Sequence, residues 1–160
     1  MLGHSSFAMP DETQPIRSDL MWGFLRAFTW MDRALQENLA ARGYAPLGGT
    51  ESQIMFFVAS GIDRASEIAR QLGVSRQAIH KATTTLVERE LIALEDDPRD
   101  RRGKVIVFRR EGRAQRLDAV EIIEQLECEL EARIGTRRVK NCASAIRQDW
   151  GDPPIVGRGE

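Results

Sequence analysis

Two cysteines, two histidines and one tyrosine in 160 residues leave this chain little of the usual equipment for chemistry. Cys128 and Cys142 are too few for a disulfide framework and too far apart for a metal knuckle. Glu127 and Glu129 flank Cys128 and work against a reactive thiolate there, while Cys142 shares an apolar helical face with Val139, Ile146 and Trp150. The histidines are His4 and His80, and no G-x-S-x-G, P-loop, H-E-x-x-H or cluster of metal ligands accompanies them. Gly48-Gly49 has no basic phosphate site after it and reads as a flexible loop. No catalytic residue, metal or cofactor is therefore assigned, and an enzyme is not expected. No apolar run approaches the roughly 18 residues of a membrane span. Met1–Pro10 lacks the basic start and long apolar stretch of a secretory signal, so a cytoplasmic protein without a membrane partner is expected.

What is present is an ordinary globular composition, 42% hydrophobic and 29% charged, which excludes a disordered chain. The net charge of −1 argues against a simple basic nucleic-acid binder, but its distribution argues the other way. Between Arg64 and Arg116 there are 13 Lys or Arg against 8 Asp or Glu, a local excess of +5, which leaves −6 for the remainder.

Residues 1–17 have no period and are expected to form a tail. Ser18 or Asp19 can cap a helix whose Leu20, Phe24, Phe28, Met31, Leu35 and Leu39 recur at three and four, ending at Arg42-Gly43. Met21, Trp22, Leu25 and Trp30 broaden that stripe beyond one face, which suggests two packing partners, one of them another subunit. Thr50 and Gln53 fit a capping box for a helix through Ile54, Phe57 and Val58 to about Ser60. Ile62–Arg64 reads as a short strand. Strands are also expected over Leu91–Leu94 and Lys104–Phe108, around the loop E-D-D-P-R-D-R-R-G. A long helix comes next, from about Glu111 to Ile134, with Val120, Ile123, Leu126, Leu130 and Ile134 on one face. After Gly135 a last helix spans roughly Arg137 to Trp150, and 151–160 is a tail; there is no internal repeat.

The informative stretch is Ser66–Arg110. A short amphipathic helix, Ser66–Leu72, leads to a Gly73-Val74-Ser75 turn and a second helix. Gly73 permits the turn, Val74 can plug the core, and Ser75 can cap the second helix. On that helix Ile79, Ala82, Thr83 and Leu86 share one side. Arg76, Gln77, His80, Lys81 and Thr84 lie within an arc of roughly 140° on the other, at about 100° per residue. Helix, turn, helix and two strands in that order make a winged helix-turn-helix, which places one helix in a DNA groove.

Leu72-Gly-Val-Ser-Arg-Gln-Ala-Ile-His-Lys, then Leu86, Leu91-Ile92 and Asp97-Pro-Arg-Asp-Arg-Arg, resemble the MarR family of bacterial transcription regulators; the last motif is the most specific. The resemblance spans about Leu20 to Trp150 and is strong from Ser66 to Gly112. It implies an α+β, mostly helical fold over 18–150. In that arrangement 50–110 would form the DNA-binding lobe, and 18–43 with 111–150 a dimerisation stem. It further implies a homodimer on a pseudo-palindromic operator in double-stranded DNA, acting as a repressor that answers to a small amphipathic or aromatic effector. By the same resemblance Ser75, Arg76, Gln77, His80, Lys81 and Thr84 face the major groove; Gln suits adenine and Arg or Lys guanine, while Ser75, Lys81 and Thr84 serve equally well to position the DNA backbone. On the wing, Arg101 or Arg102 enters the minor groove, Asp100 holds an arginine in place with Asp97 as a second candidate, and Arg99 and Lys104 meet phosphate. Trp22, Trp30, Tyr44, Phe56 and Phe57 lie on elements able to line an effector crevice, but aromatics at helical spacing serve core and interface more often, so no effector-binding residue is assigned.

Two departures stand out. Many relatives have glycine where this chain has Glu90, and a left-handed residue there would cost about 1 kcal/mol. The row Thr83-Thr84-Thr85 is β-branched and weakly helical, so the second helix depends on packing. The alternative to DNA binding is a winged helix that binds another protein.

Overall fold

A computed structural model describes residues 19–155, without the side chains of Arg101 and Arg102. The helical spacing after Asp19 is realised as α1, Asp19–Ala41, followed by α2, Gly49–Ala59, α3, Ala65–Leu72, and α4, Arg76–Glu88. A hairpin of β1, Ile92–Asp97, and β2, Asp100–Phe108, leads into α5, Arg110–Ile134, and α6, Thr136–Ile146. The tail expected over 1–17, the Ser18 cap and His4 lie outside the described residues, as does 156–160. No helix among the described residues is long and apolar enough to cross a membrane.

The core belongs to the middle of the chain. Ile54, Ile68, Ile79, Leu86, Ile92 and Ile106 are fully buried, bringing α2, α3, α4 and both strands onto one apolar cluster. The outer helices are different. Leu39 is the only buried residue of α1, and α6 has none. Leu20, Met21, Trp22, Leu25 and Phe28 are each more than half exposed, and Val120 and Ile134 of the expected α5 stripe are nearly so. The buried side of α5 is instead Gly112, Gln115 and Ile122, which the apolar spacing does not mark.

Several local expectations are corrected. Thr50 and Gln53 do not cap α2: the helix starts earlier, at a Gly48 N-cap, and the Glu51 carboxylate accepts from the Gly48 N–H at 3.0 Å. Residues 62–64 form no strand. Ile106 N–H donates to Asp63 O at 2.8 Å, and that single bond stands where a ladder was expected. The hairpin strands reach further than their propensities suggest, consuming most of the acidic-basic loop and leaving only Pro98-Arg99 as the turn. The last helix stops at Ile146, and Trp150 folds back beyond it, its ring centroid 5.7 Å from that of Phe24.

Glu90 adopts φ 57°, so the left-handed turn is kept without glycine. Two bonds hold it: Glu90 N–H to Val87 O at 2.9 Å and Leu91 N–H to Leu86 O at 3.0 Å. Its side chain makes only a long 3.5 Å contact with Arg109. Glu90→Gly is therefore expected to stabilise the protein by about 1 kcal/mol, seen as a higher urea midpoint with an unchanged slope; a lower midpoint would show that the Arg109 contact outweighs the backbone strain.

Candidate nucleic-acid interface

The turn between α3 and α4 is built as its residue types require. Gly73 takes the left-handed conformation, φ 64°, and Ser75 Oγ accepts from the Ala78 N–H at 3.1 Å to start α4. Val74 does not plug the core; it is 37% exposed. With that entry fixed, burial of Ile79, Ala82, Thr83 and Leu86 sets the rotation of α4. Arg76, Gln77, His80, Lys81 and Thr84 are consequently all exposed.

Among the described residues, Arg76, Gln77, His80 and Lys81 make no side-chain hydrogen bond or ion pair, so their donors face outward unspent. Ser75 is committed to its cap, and Thr84 Oγ1 donates back to His80 O at 3.0 Å. Thr85 does the same to Lys81 O at 3.2 Å, while Thr83 is buried with no partner for its hydroxyl among the described residues. These threonines add nothing to helix propensity, and packing on the apolar side holds the helix in place.

The wing is organised around Asp97, whose side chain is completely buried. Its Oδ2 accepts from Arg64 Nε at 2.6 Å, and its Oδ1 accepts from the Arg99 N–H at 2.8 Å and Arg99 Nε at 2.9 Å. Arg99 reaches on to Asp63 Oδ1 at 2.6 Å. The Arg99 guanidinium, joined by the Arg99 N–H and Arg64, holds the Asp97 carboxyl well below the usual range, at about 2, against the opposing effect of burial. The same pairs raise Arg99 above its ordinary value, Asp97 first and Asp63 second.

This lattice joins the hairpin bend to the segment before α3, reinforced by the Ile106–Asp63 bond. Strand register shifts next to it: Asp96 pairs with Lys104 but Asp97 with Asp100, so residues 101–103 form a bulge on β2. Arg101 and Arg102 occupy that bulge.

Of the residues singled out on the wing, Asp97 rather than Asp100 is the buried keystone. Arg99 is drawn inward to two carboxylates, though half of its side chain stays exposed. Lys104 pairs with the exposed Asp96 at 2.6 Å. Arg64 and Asp63 were missed from the sequence; their partners lie 33 and 36 residues away, and no local pattern announces such pairs.

The five open aromatics disperse. Trp22 and Trp30 border a groove of about 870 Å3 between α1 and the C-terminal half of α5, with the Arg133 guanidinium 5.9 Å from the Trp30 centroid. Phe57 packs on the core, Phe56 is exposed, and Tyr44 donates to Asp118 at 2.6 Å. Both cysteines are exposed, Cys142 included, and no cluster of three metal-ligating side chains occurs among the described residues.

Residues 45–103, which carry the turn, α4 and the first part of the wing, match a family model, that of the MarR family. Over those residues the chain is similar to the MarR family. No curated protein sequence matches it. Among solved structures, CouR from Rhodococcus jostii RHA1 bound to p-coumaroyl-CoA is similar at 21% identity, over 84% of this chain and 94% of that one, with a TM-score of 0.63. The transcriptional repressor CouR bound to a 23-mer DNA duplex aligns at 18% identity, over 84% of this chain and 96% of that one, with a TM-score of 0.60. A MarR transcriptional regulator from Methanosarcina mazei Go1 gives 12% identity, over 81% of this chain and 92% of that one, with a TM-score of 0.65. The winged-helix fold of MarR regulators therefore extends through the helices on both sides of the matched segment.

Proposed function

We propose that this chain is a MarR-like, DNA-binding transcription regulator that acts as a homodimer, represses from a pseudo-palindromic operator and responds to a small amphipathic or aromatic effector. The observation that carries the DNA reading is α4: an apolar back locked into the core and a front whose four longest donors are unspent. Major-groove reading requires a helix of this kind, fixed in rotation and free in its outward hydrogen-bonding groups. The local +5 excess and the bulge bearing Arg101 and Arg102 supply the complementary attraction to phosphate. The DNA-bound CouR structure supports the same use of the fold.

The dimer reading rests on α1, α5 and α6. A chain in water rarely leaves Leu20, Met21, Trp22, Leu25 and Phe28 of one helix, with Trp150 packed beside them, more than half exposed, and a second copy of the stem would cover them. For the effector, the CouR complex with an aromatic acyl thioester is the support; no residue of this chain is assigned to one.

The division of labour is testable. Arg102→Ala is expected to weaken binding on all duplexes by a similar factor and to lower the salt slope by about 1. Gln77→Ala should instead change affinity by about tenfold at particular base pairs. Equilibrium titrations on single-base variants of one duplex, at three salt concentrations, would separate them. Equal losses on every duplex for both variants would contradict these roles, and affinity insensitive to salt would point to a protein partner.

A further inference from the structure

Arg89 sits in the basic lobe, where charge alone would assign it to phosphate, yet it faces inward. It is the C-cap residue of α4, and its guanidinium donates to the carbonyls of Ala45 at 2.8 Å and Pro46 at 3.0 Å. The same nitrogen that meets Pro46 lies 3.5 Å from Glu51 Oε2 on α2. The residue just before these carbonyls is held by another helix. Tyr44 donates its hydroxyl proton to Asp118 Oδ2 on α5 at 2.6 Å, and Arg42 reaches Asp118 and Glu121 at 2.9 Å each. The Tyr44 hydroxyl and then Arg42 hold the Asp118 carboxyl below its usual range, so it remains a charged acceptor. Residues 42–46 are thus fastened to α5 at one end and to the C-terminus of α4 at the other, with the attachments on adjacent residues.

We infer that residues 42–46 form a strap that fixes the angle of the reading helix to the stem, with Arg89 and Tyr44 as positioning residues that act on DNA recognition through α4. A planar guanidinium presents two nitrogens to two successive carbonyls in a fixed geometry that the single flexible ammonium of a lysine does not reproduce, and Pro46 stiffens the pair it grips. Rigid attachment matters because the proposed dimer must place two reading helices in register. One inserted base pair moves a half-site by about 3.4 Å and rotates it by roughly 35°. Two lobes locked to one stem cannot follow that displacement, whereas loosely tethered lobes can.

The inference rests on the homodimeric DNA-binding reading, and the test keeps the two apart. Duplexes selected by the wild-type protein from a random library would be rebuilt with one base pair added or removed at the centre, alongside isolated half-sites. The wild type is expected to lose about tenfold or more in affinity on the altered spacings. Arg89→Met, Arg89→Lys and Tyr44→Phe should each shrink that penalty to about threefold, and the Arg89→Met/Tyr44→Phe pair should do no more than either alone, because both cut one strap. Half-site affinity should stay within about twofold. Tyr44→Phe removes a single oxygen and guards against an Arg89 variant that fails to fold, which thermal melting would reveal. Folded variants that keep the wild-type spacing penalty, or that lose affinity equally on every duplex, would overturn the strap. A wild type that binds no duplex would overturn the DNA reading and the strap with it.

Discussion

Gly112→Ala is expected to lower stability by about 3 kcal/mol, and the melting temperature by on the order of 10 °C. A Cβ at this position would lie 2.0 Å from the Leu91 carbonyl oxygen and 2.9 Å from its carbon. Neither atom can retreat easily, because that oxygen also accepts from the Arg109 N–H at 3.0 Å and belongs to the turn that Glu90 strains to form. The first turn of α5 would have to move off the end of α4 as a whole. Gly49→Ala is the control: nothing lies within 4 Å of its added Cβ, and a helical alanine there should raise stability by up to about 1 kcal/mol. Thermal melting of both variants decides the matter, and an unchanged Gly112→Ala would refute the close packing of α5 on Leu91.

Asp97→Ala is expected to weaken DNA binding by about tenfold or more while leaving α3 and α4 folded. Arg64 and Arg99 keep partial solvent access, so they survive the loss of their acceptor better than a buried cation would. What disappears is the carboxylate that ties the hairpin bend, beside the bulge at 101–103, to Arg64 in the segment before α3. Titrations of a selected duplex should show the loss, with helical circular dichroism unchanged.

Acid gives an independent check on the same residue. Its carboxyl titrates near 2 when folded, below its ordinary 3.8, so its contribution is fully present above pH 4. That contribution is lost as pH falls from about 4 through about 2. Asp97→Asn should flatten that part of the stability profile. A wild-type profile already flat between pH 4 and 2, or one unchanged in the variant, would show that the carboxylate is not held by these pairs.

The parts of the protein that sequence predicts well are those governed by local rules. Gly73 and Ser75 set the turn, and the spacing of Ile79, Ala82, Thr83 and Leu86 sets the buried side of α4; both appear as expected. Glu90 was legible only through its departure from a family pattern. The wing strands were underestimated because Asp96 and Asp97 are poor strand formers; the partner strand and the Asp97 ion pairs override that preference. Arg89 and Arg42 were not legible at all, since their acceptors lie 38 to 79 residues away. Gly112 left a faint signal: a glycine in the first turn of a long helix sacrifices helix propensity, which invites a search for a close neighbour. The α5 stripe was read as one apolar face, and Val120 and Ile134 on it are nearly half exposed, because periodicity reports that a face needs covering and does not say by which chain.

The central claim is sequence-specific DNA recognition by the α4 face and the wing. Its most direct test is selection of bound fragments from the source genome by the wild-type protein, with Arg101→Ala/Arg102→Ala as control. An enriched inverted repeat that disappears in the control is the predicted result. A folded wild-type protein that enriches no sequence, or one whose enrichment the control retains in full, would contradict it.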